Sequence, residues 1–186
     1  MNLASWVERN AQRFRDGVAL AEGERVHATW AQFASRTAAI AGGLRSTLGL
    51  SEGDRVAIVM RNRPEYLEAM LGAWHAGLIA VPVNARLHRD EIAYVLEHSG
   101  TSAVIVDEEH AEDVVPLVDE LDRLTSAILT PGPEWRRLVD AAPIALQDRS
   151  PTDAAWMFYT SGTTGRPKGA TLTHRNLDRK STRLNS

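Results

Sequence analysis

No cysteine occurs in the 186 residues. That excludes disulfide frameworks, thiolate metal sites and a cysteine nucleophile, and it fits a reducing compartment. Long apolar runs are also missing. Val56 to Met60, Leu78 to Val83 and Ala154 to Tyr159 are each too short to span a bilayer. Charges at Glu8, Arg9, Arg13 and Arg15 interrupt the N-terminal stretch, so no signal-peptide core forms there, and the expected location is the cytoplasm. Nor is there a basic excess. Lys plus Arg number 21 against 24 Asp plus Glu, a formal charge of −3, which argues against nucleic acid as the partner. No two of the six histidines stand at the i, i+4 spacing of a helical metal pair, so no metal site is expected.

Hydrophobic residues make up 44% and charged residues 24%, enough apolar material for a packed core. At roughly 150 residues per domain, the length suits one domain, or one and part of another. The apolar positions Leu3, Trp6, Val7, Ala11 and Phe14 predict a helix over residues 3–15. A strand pair comes next, Val18 to Ala21 and Val26 to Thr29. Thr29 is a candidate N-cap for a long helix to about Leu48, which Gly49 ends.

From Asp54 a strand–helix alternation sets in. Val56 to Met60 reads as a buried strand, and Pro64 opens a helix carrying Tyr66, Leu67, Met70, Leu71 and Trp74. Leu78 to Val83 is the next strand, Glu91 to His98 a helix and Ala103 to Val106 a strand. Ala111 to Leu124 reads as a helix and Ala127 to Leu129 as a strand. Strands alternating with helices imply an α/β fold of βαβ units with a mainly parallel sheet. Pro131-Gly132-Pro133 and Gln147 to Asp153 are loop signals, the second a candidate junction between the layered unit and the C-terminal residues. The acidic stretch Asp107-Glu108-Glu109-His110, with Glu112 and Asp113, reads as a solvated turn. Arg61, Arg63, Arg86 and Arg89 form a weak candidate patch for phosphates, with ordinary surface charge as the blander reading.

The chemistry concentrates where the apolar strand Ala154 to Tyr159 runs into Thr160-Ser161-Gly162-Thr163-Thr164-Gly165-Arg166-Pro167-Lys168-Gly169. Four hydroxyls, three glycines and a lysine crowd into ten positions. Glycines let successive backbone N–H groups curl into an anion nest. Hydroxyls add donors, and Lys168 adds a mobile point charge suited to phosphate. This is not the Walker loop, which needs Gly before the lysine and Ser or Thr after it. Here Pro167 precedes and Gly169 comes after. Ala170 to Thr173 reads as a strand, so no helix N-terminus backs the loop directly. Thr173 then caps a helix beginning at His174.

Thr160 to Gly169 resembles the phosphate-loop signature of the adenylate-forming, or AMP-binding, enzymes. Ala76 to Leu87, ending Asn84-Ala85-Arg86-Leu87, resembles an early motif in its acyl-CoA synthetase form. Thr29-Trp30 and Gly53-Asp54-Arg55-Val56-Ala57 also fit. The resemblance implies the N-terminal portion of the family's large domain, ending in a phosphate-loop hairpin. It implies an acid–thiol ligase in two steps. A carboxylate attacks the α-phosphate of Mg-ATP, and the thiol of coenzyme A then displaces AMP. Lys168 is the implied catalytic residue. Thr160, Ser161, Gly162, Thr163, Thr164, Gly165, Lys168 and Gly169 would hold the β- and γ-phosphates. ATP, Mg2+ and coenzyme A are the implied cofactors, and a small carboxylic acid the partner. A peptide-synthetase adenylation domain and a noncatalytic nucleotide-binding module are the alternatives.

Family members are well over twice this length, and later family motifs are absent, including any Thr-Glu dipeptide. Residues 1–177 therefore read as a partial AMP-binding domain whose truncated chain is inactive. Residues 178–186, polar but for Leu184, read as a foreign or frame-shifted tail, with a divergent helix end as the alternative. The genomic reading frame past Leu177 is accordingly expected to continue differently and to encode an aromatic-Gly-x-Thr-Glu motif. DNA sequence and intact mass confirming Ser186 as the natural C-terminus would overturn that expectation.

Overall fold

The computed structural model describes residues 1–160 and 167–183. The chain opens with α1 (Ser5–Arg13), an antiparallel hairpin of β1 (Val18–Glu22) and β2 (Arg25–Thr29), and α2 (Trp30–Ser46). Thr29 caps α2 as expected. Its hydroxyl accepts the Gln32 amide while the Gln32 side chain accepts the Thr29 amide, which satisfies two of the helix's orphan donors. Next come β3 (Arg55–Val59), α3 (Pro64–His75), β4 (Ile79–Pro82), α4 (Arg89–Ser99) and β5 (Thr101–Asp107). Pro64 is at the first position of α3, where its missing N–H costs nothing.

Beyond β5 the pattern departs from the sequence expectation. The helix expected over Ala111 to Leu124 is only α5 (Ala111–Val114) and a 3-10 turn (Val115–Asp119). Pro116 lacks the N–H that would continue the helical ladder. After β6 (Ser126–Thr130), the Pro-Gly-Pro stretch is not only a loop. Pro133 starts α6 (Pro133–Val139), again as a helix-opening proline.

A six-stranded sheet has the order β6-β5-β3-β4-β7-β8, where β7 is Ala154–Thr160 and β8 is Lys168–Thr173. The first five strands of that order are parallel, and β7 and β8 pair antiparallel. The β7–β8 pair, beyond the candidate junction, belongs to the same sheet, with Ala80 opposite Trp156. The last described element is α7 (His174–Arg183).

Both faces of the parallel strands are covered, as the continuous apolar runs require. Val56, Ile58, Ala80, Ala103, Ile105 and Ala155 join one core cluster with residues of α1, α2, α3 and α6. Their neighbours Ala57, Val59, Val81, Val104 and Val106 join a second cluster with α4, Val114 and Leu117. Crossover handedness explains the division. The step from β3 to β4 runs one way across the sheet, and the step from β4 to β5 runs back past β3. A right-handed crossover in the reverse direction must place its helix on the other face.

Small residues let the first face pack closely. A Cβ at Gly72 would lie 2.5 Å from Ile40 Cγ2, and one at Gly43 would lie 2.9 Å from Leu138 Cα. A Cβ at Gly42 would overlap the carbonyl oxygen of Ala142. Residues 142–150 form an irregular strap over this face. The amide of Ile144 donates to Ala38 O, and His75 Nε2 donates to Ile144 O at 2.9 Å. Gln147 N donates to His75 O.

In an exposed helix, glycine to alanine stabilises by roughly 0.5–1 kcal/mol. Gly42→Ala should do the opposite here, lowering stability by about 1–3 kcal/mol through overpacking against fixed backbone. Urea unfolding should show a lower midpoint at unchanged slope.

Candidate functional site

Where successive crossovers leave to opposite faces, the loops at the carboxyl ends of the two strands part and leave a crevice. Here that point falls between β3 and β4. A cavity of about 1100 Å³ opens there. Met60, Arg61 and Asn62 line it from the end of β3, and Val83, Asn84, Ala85 and Arg86 from the end of β4. Phe158, Tyr159 and Thr160 close it at the end of β7.

Of the Thr160–Gly169 stretch, which joins β7 to β8 in sequence, Thr160 and residues 167–169 are described. Thr160 lines the cavity and pairs across the strands with Lys168. Both are exposed, and Lys168 has no ion pair among the described residues. Gly169 pairs with Tyr159, whose ring lies so close that a Cβ at Gly169 would sit 2.9 Å from Cζ. The hydroxyl of Tyr159 is 2.8 Å from His98 Nδ1, which ties this strand to α4. Burial raises the Tyr159 pKa, so the phenol stays protonated. Ser161, Gly162, Thr163, Thr164 and Gly165 lie outside the described residues.

Three of the four candidate phosphate-binding arginines are already engaged. Arg61 pairs with Glu109 at 2.5 Å, Arg63 with Glu65 at 3.0 Å and Glu108 at 3.5 Å, and Arg89 with Glu120. Arg86 is exposed in the crevice and has no ion pair among the described residues.

The acidic turn after β5 differs from the solvated reading in part. Glu108 and Glu109 are exposed, but Asp107 and His110 are buried, at 3% and 8% exposure. His110 Nδ1 is 2.5 Å from Asp107 Oδ1, and Nε2 is 2.7 Å from the carbonyl oxygen of Ala85. Asp107 Oδ2 accepts the Arg61 amide at 2.9 Å. Burial opposes charge on both groups, yet their mutual hydrogen bond prevails. Asp107 is held below the usual carboxylate range and His110 above the usual histidine value. The Asp-x-x-His spacing at the end of a buried strand is the sequence signal for this pair.

His174 is structural. It is 1% exposed at the start of α7, and its Nδ1 accepts the Leu3 amide at 3.3 Å, fastening the N-terminus to the end of β8. Asn2 strengthens the same junction, donating to Trp74 O and Gln147 O.

The fold is an open, mainly parallel α/β sheet with a crevice at its switch point, lined at the end of β7 by Thr160. The model of the AMP-binding enzymes matches residues 7–185, and the chain belongs to that family. It is 39% identical over 178 residues to feruloyl-CoA synthase of an Amycolatopsis species, covering 94% of this chain and 34% of that enzyme. It is 32% identical to the long-chain-fatty-acid–CoA ligase of Escherichia coli O157:H7, covering 95% and 37%. The solved structure of a long-chain-fatty-acid CoA ligase candidate from Rhodopseudomonas palustris superposes with a TM-score of 0.89 at 30% identity. That match covers 99% of this chain and 47% of that one. The chain therefore spans about a third of the length of the curated relatives it matches.

Burial, with the positive charges of Arg149 and the N-terminus, pushes the His174 pKa down to about 4 from 6.5. Between those values the unfolded chain binds the extra proton, so stability should rise with pH from about 4 to 6.5. Thermal unfolding across that range, compared with His174→Gln, checks this: the variant's slope should be shallower.

Proposed function

We propose that this segment supplies the phosphate-handling part of an ATP-dependent acyl-CoA synthetase, with residues 1–177 forming part of a longer AMP-binding domain. The observation that carries the reading is the Thr160–Gly169 sequence signature, whose first residue, Thr160, lines the switch-point crevice. The likeness to a feruloyl-CoA synthase and to a long-chain-fatty-acid ligase supports an aromatic or fatty carboxylic acid as substrate. In this reading the acid and ATP form an acyl-adenylate and pyrophosphate. The thiol of coenzyme A then attacks the acyl carbon and releases AMP.

The chain's own residues act by position and charge. Lys168 and the hydroxyls of Thr163 and Thr164 offset charge on the departing pyrophosphate, as catalysis by charge stabilisation requires. Lys168 pairs across the strands with Thr160, which lines the crevice. Arg86, in the crevice wall, suits a phosphate of coenzyme A. Among the described residues no group of three His, Asp or Glu could hold a metal ion. In this reading Mg2+ enters with the substrate, as Mg-ATP. The dependence on ATP and coenzyme A points to a cytoplasmic location. Among the described residues no helix is long and apolar enough to cross a membrane.

A hydrogen bond to a charged group contributes about 1.5–3 kcal/mol. In the full-length protein, Thr163→Ala should therefore slow acid-dependent pyrophosphate release roughly 10- to 100-fold, and Lys168→Ala at least as much. Wild-type rates in both variants would refute the assignment.

A further inference from the structure

The two walls of the crevice belong to different loops, one after β3 and one after β4. Neither loop has regular secondary structure to hold it. A single buried pair reaches both. Asp107, at the end of β5, accepts the backbone N–H of Arg61 on the β3 side. Through His110 it also reaches the carbonyl of Ala85 on the β4 side. We propose that Asp107 and His110 are positioning residues that latch the two walls together, and that the latch opens when His110 loses a proton.

The proton inventory carries the point. The Asp107 carboxylate and the Ala85 carbonyl are both acceptors. Each lies within hydrogen-bond distance of a different nitrogen of the same ring, so both nitrogens must donate, and His110 is an imidazolium. A neutral ring can satisfy only one of the two. The bond to the neutral carbonyl is the weaker, so deprotonation frees Ala85 and with it the neighbouring Arg86.

Carboxylates near His110 favour the closed form. The arginines of the neighbouring elements oppose it, with Arg61 and Arg89 offset by their own carboxylate partners. On its own turn His110 is near Glu109, Glu112 and Asp113. From the β3 side comes Arg61, held by Glu109, and from the β4 side Arg86. From α4 comes Arg89, tied to Glu120. Burial works against the charged ring, but the bonds to Asp107 and Ala85 outweigh it and the His110 pKa rises above 6.5. The latch is therefore complete below 6.5 and is lost as pH rises through the higher folded value.

This inference rests on the acyl-CoA synthetase reading only for its kinetic consequence. In the full-length protein, the KM for coenzyme A should rise about 3- to 10-fold as His110 deprotonates, with the rate of acyl-adenylate formation moving less. His110→Gln should flatten that profile, since glutamine donates but does not titrate. An unchanged profile in His110→Gln would overturn the proposal. A second measurement needs neither variant nor turnover. Two-bond 1H–15N spectra of the wild-type protein should show both His110 ring nitrogens protonated at pH 6.5. On titration upward, the Ala85 carbonyl 13C signal should shift together with the ring. A neutral ring at pH 6.5, or an Ala85 signal indifferent to it, would overturn the latch whatever the enzyme does. An absence of coenzyme A-dependent turnover with a protonated, Ala85-coupled ring would instead overturn the synthetase reading and support the latch.

Discussion

A parallel strand cannot turn back on its partner. The chain must leave the sheet, cross one face and return, and in L-peptides it does so right-handed. Most of this structure derives from that constraint and one reversal of direction. Having stepped from β3 to β4, the chain returns past β3 to build β5 and β6, so α3 covers one face and α4 and α5 the other. It then recrosses the first face through α6 and the strap, and β7 joins β4 on its free side. The strands must therefore be apolar on both sides. The loops after β3 and β4 must part, and the crevice between them is the geometric remainder of the reversal.

Sequence periodicity makes the local pieces legible. The apolar runs of β3 and β5, the Thr29 cap and the opening proline of α3 each state a preference that the neighbouring residues share, and the structure has them all. Two departures are local as well. Pro116 interrupts an expected helix because it lacks a donor, and Pro133 opens a helix inside an expected loop because proline is at home in a first turn. What periodicity does not contain is the partner of each strand. The junction expected around residues 147–153 leads back into the same sheet because β4 has an open edge, a fact held some 70 residues earlier in the chain.

The site divides the same way. The Gly/Ser/Thr/Lys density at residues 160–169 is a local property and is visible at once, though Ser161 to Gly165 lie outside the described residues. Asp107 and His110 are hidden inside an acidic run because their meaning depends on Arg61 and Ala85, which come from two other loops. Charge alone reads as solvent exposure. Only the fold sorts the run into Glu108 and Glu109, which face water, and the pair beneath them, which does not. The four-arginine patch dissolves for the same reason. Three of those arginines neutralise acids brought to them by the fold, and Arg86 is left to the crevice.

The place of β7 in the sheet also sets a schedule. β4 ends at Pro82 and its neighbour begins at Ala154. A ribosome adding roughly 5–20 residues per second needs about 4–14 seconds to make the difference. Throughout that interval the growing chain offers β4 as a bare apolar edge, open to any passing strand. The order of strands in space thus prescribes a window of vulnerability during synthesis. Mutations that slow delivery of the strap or of β7 would lower the yield of folded protein even where they leave the finished sheet as stable as before.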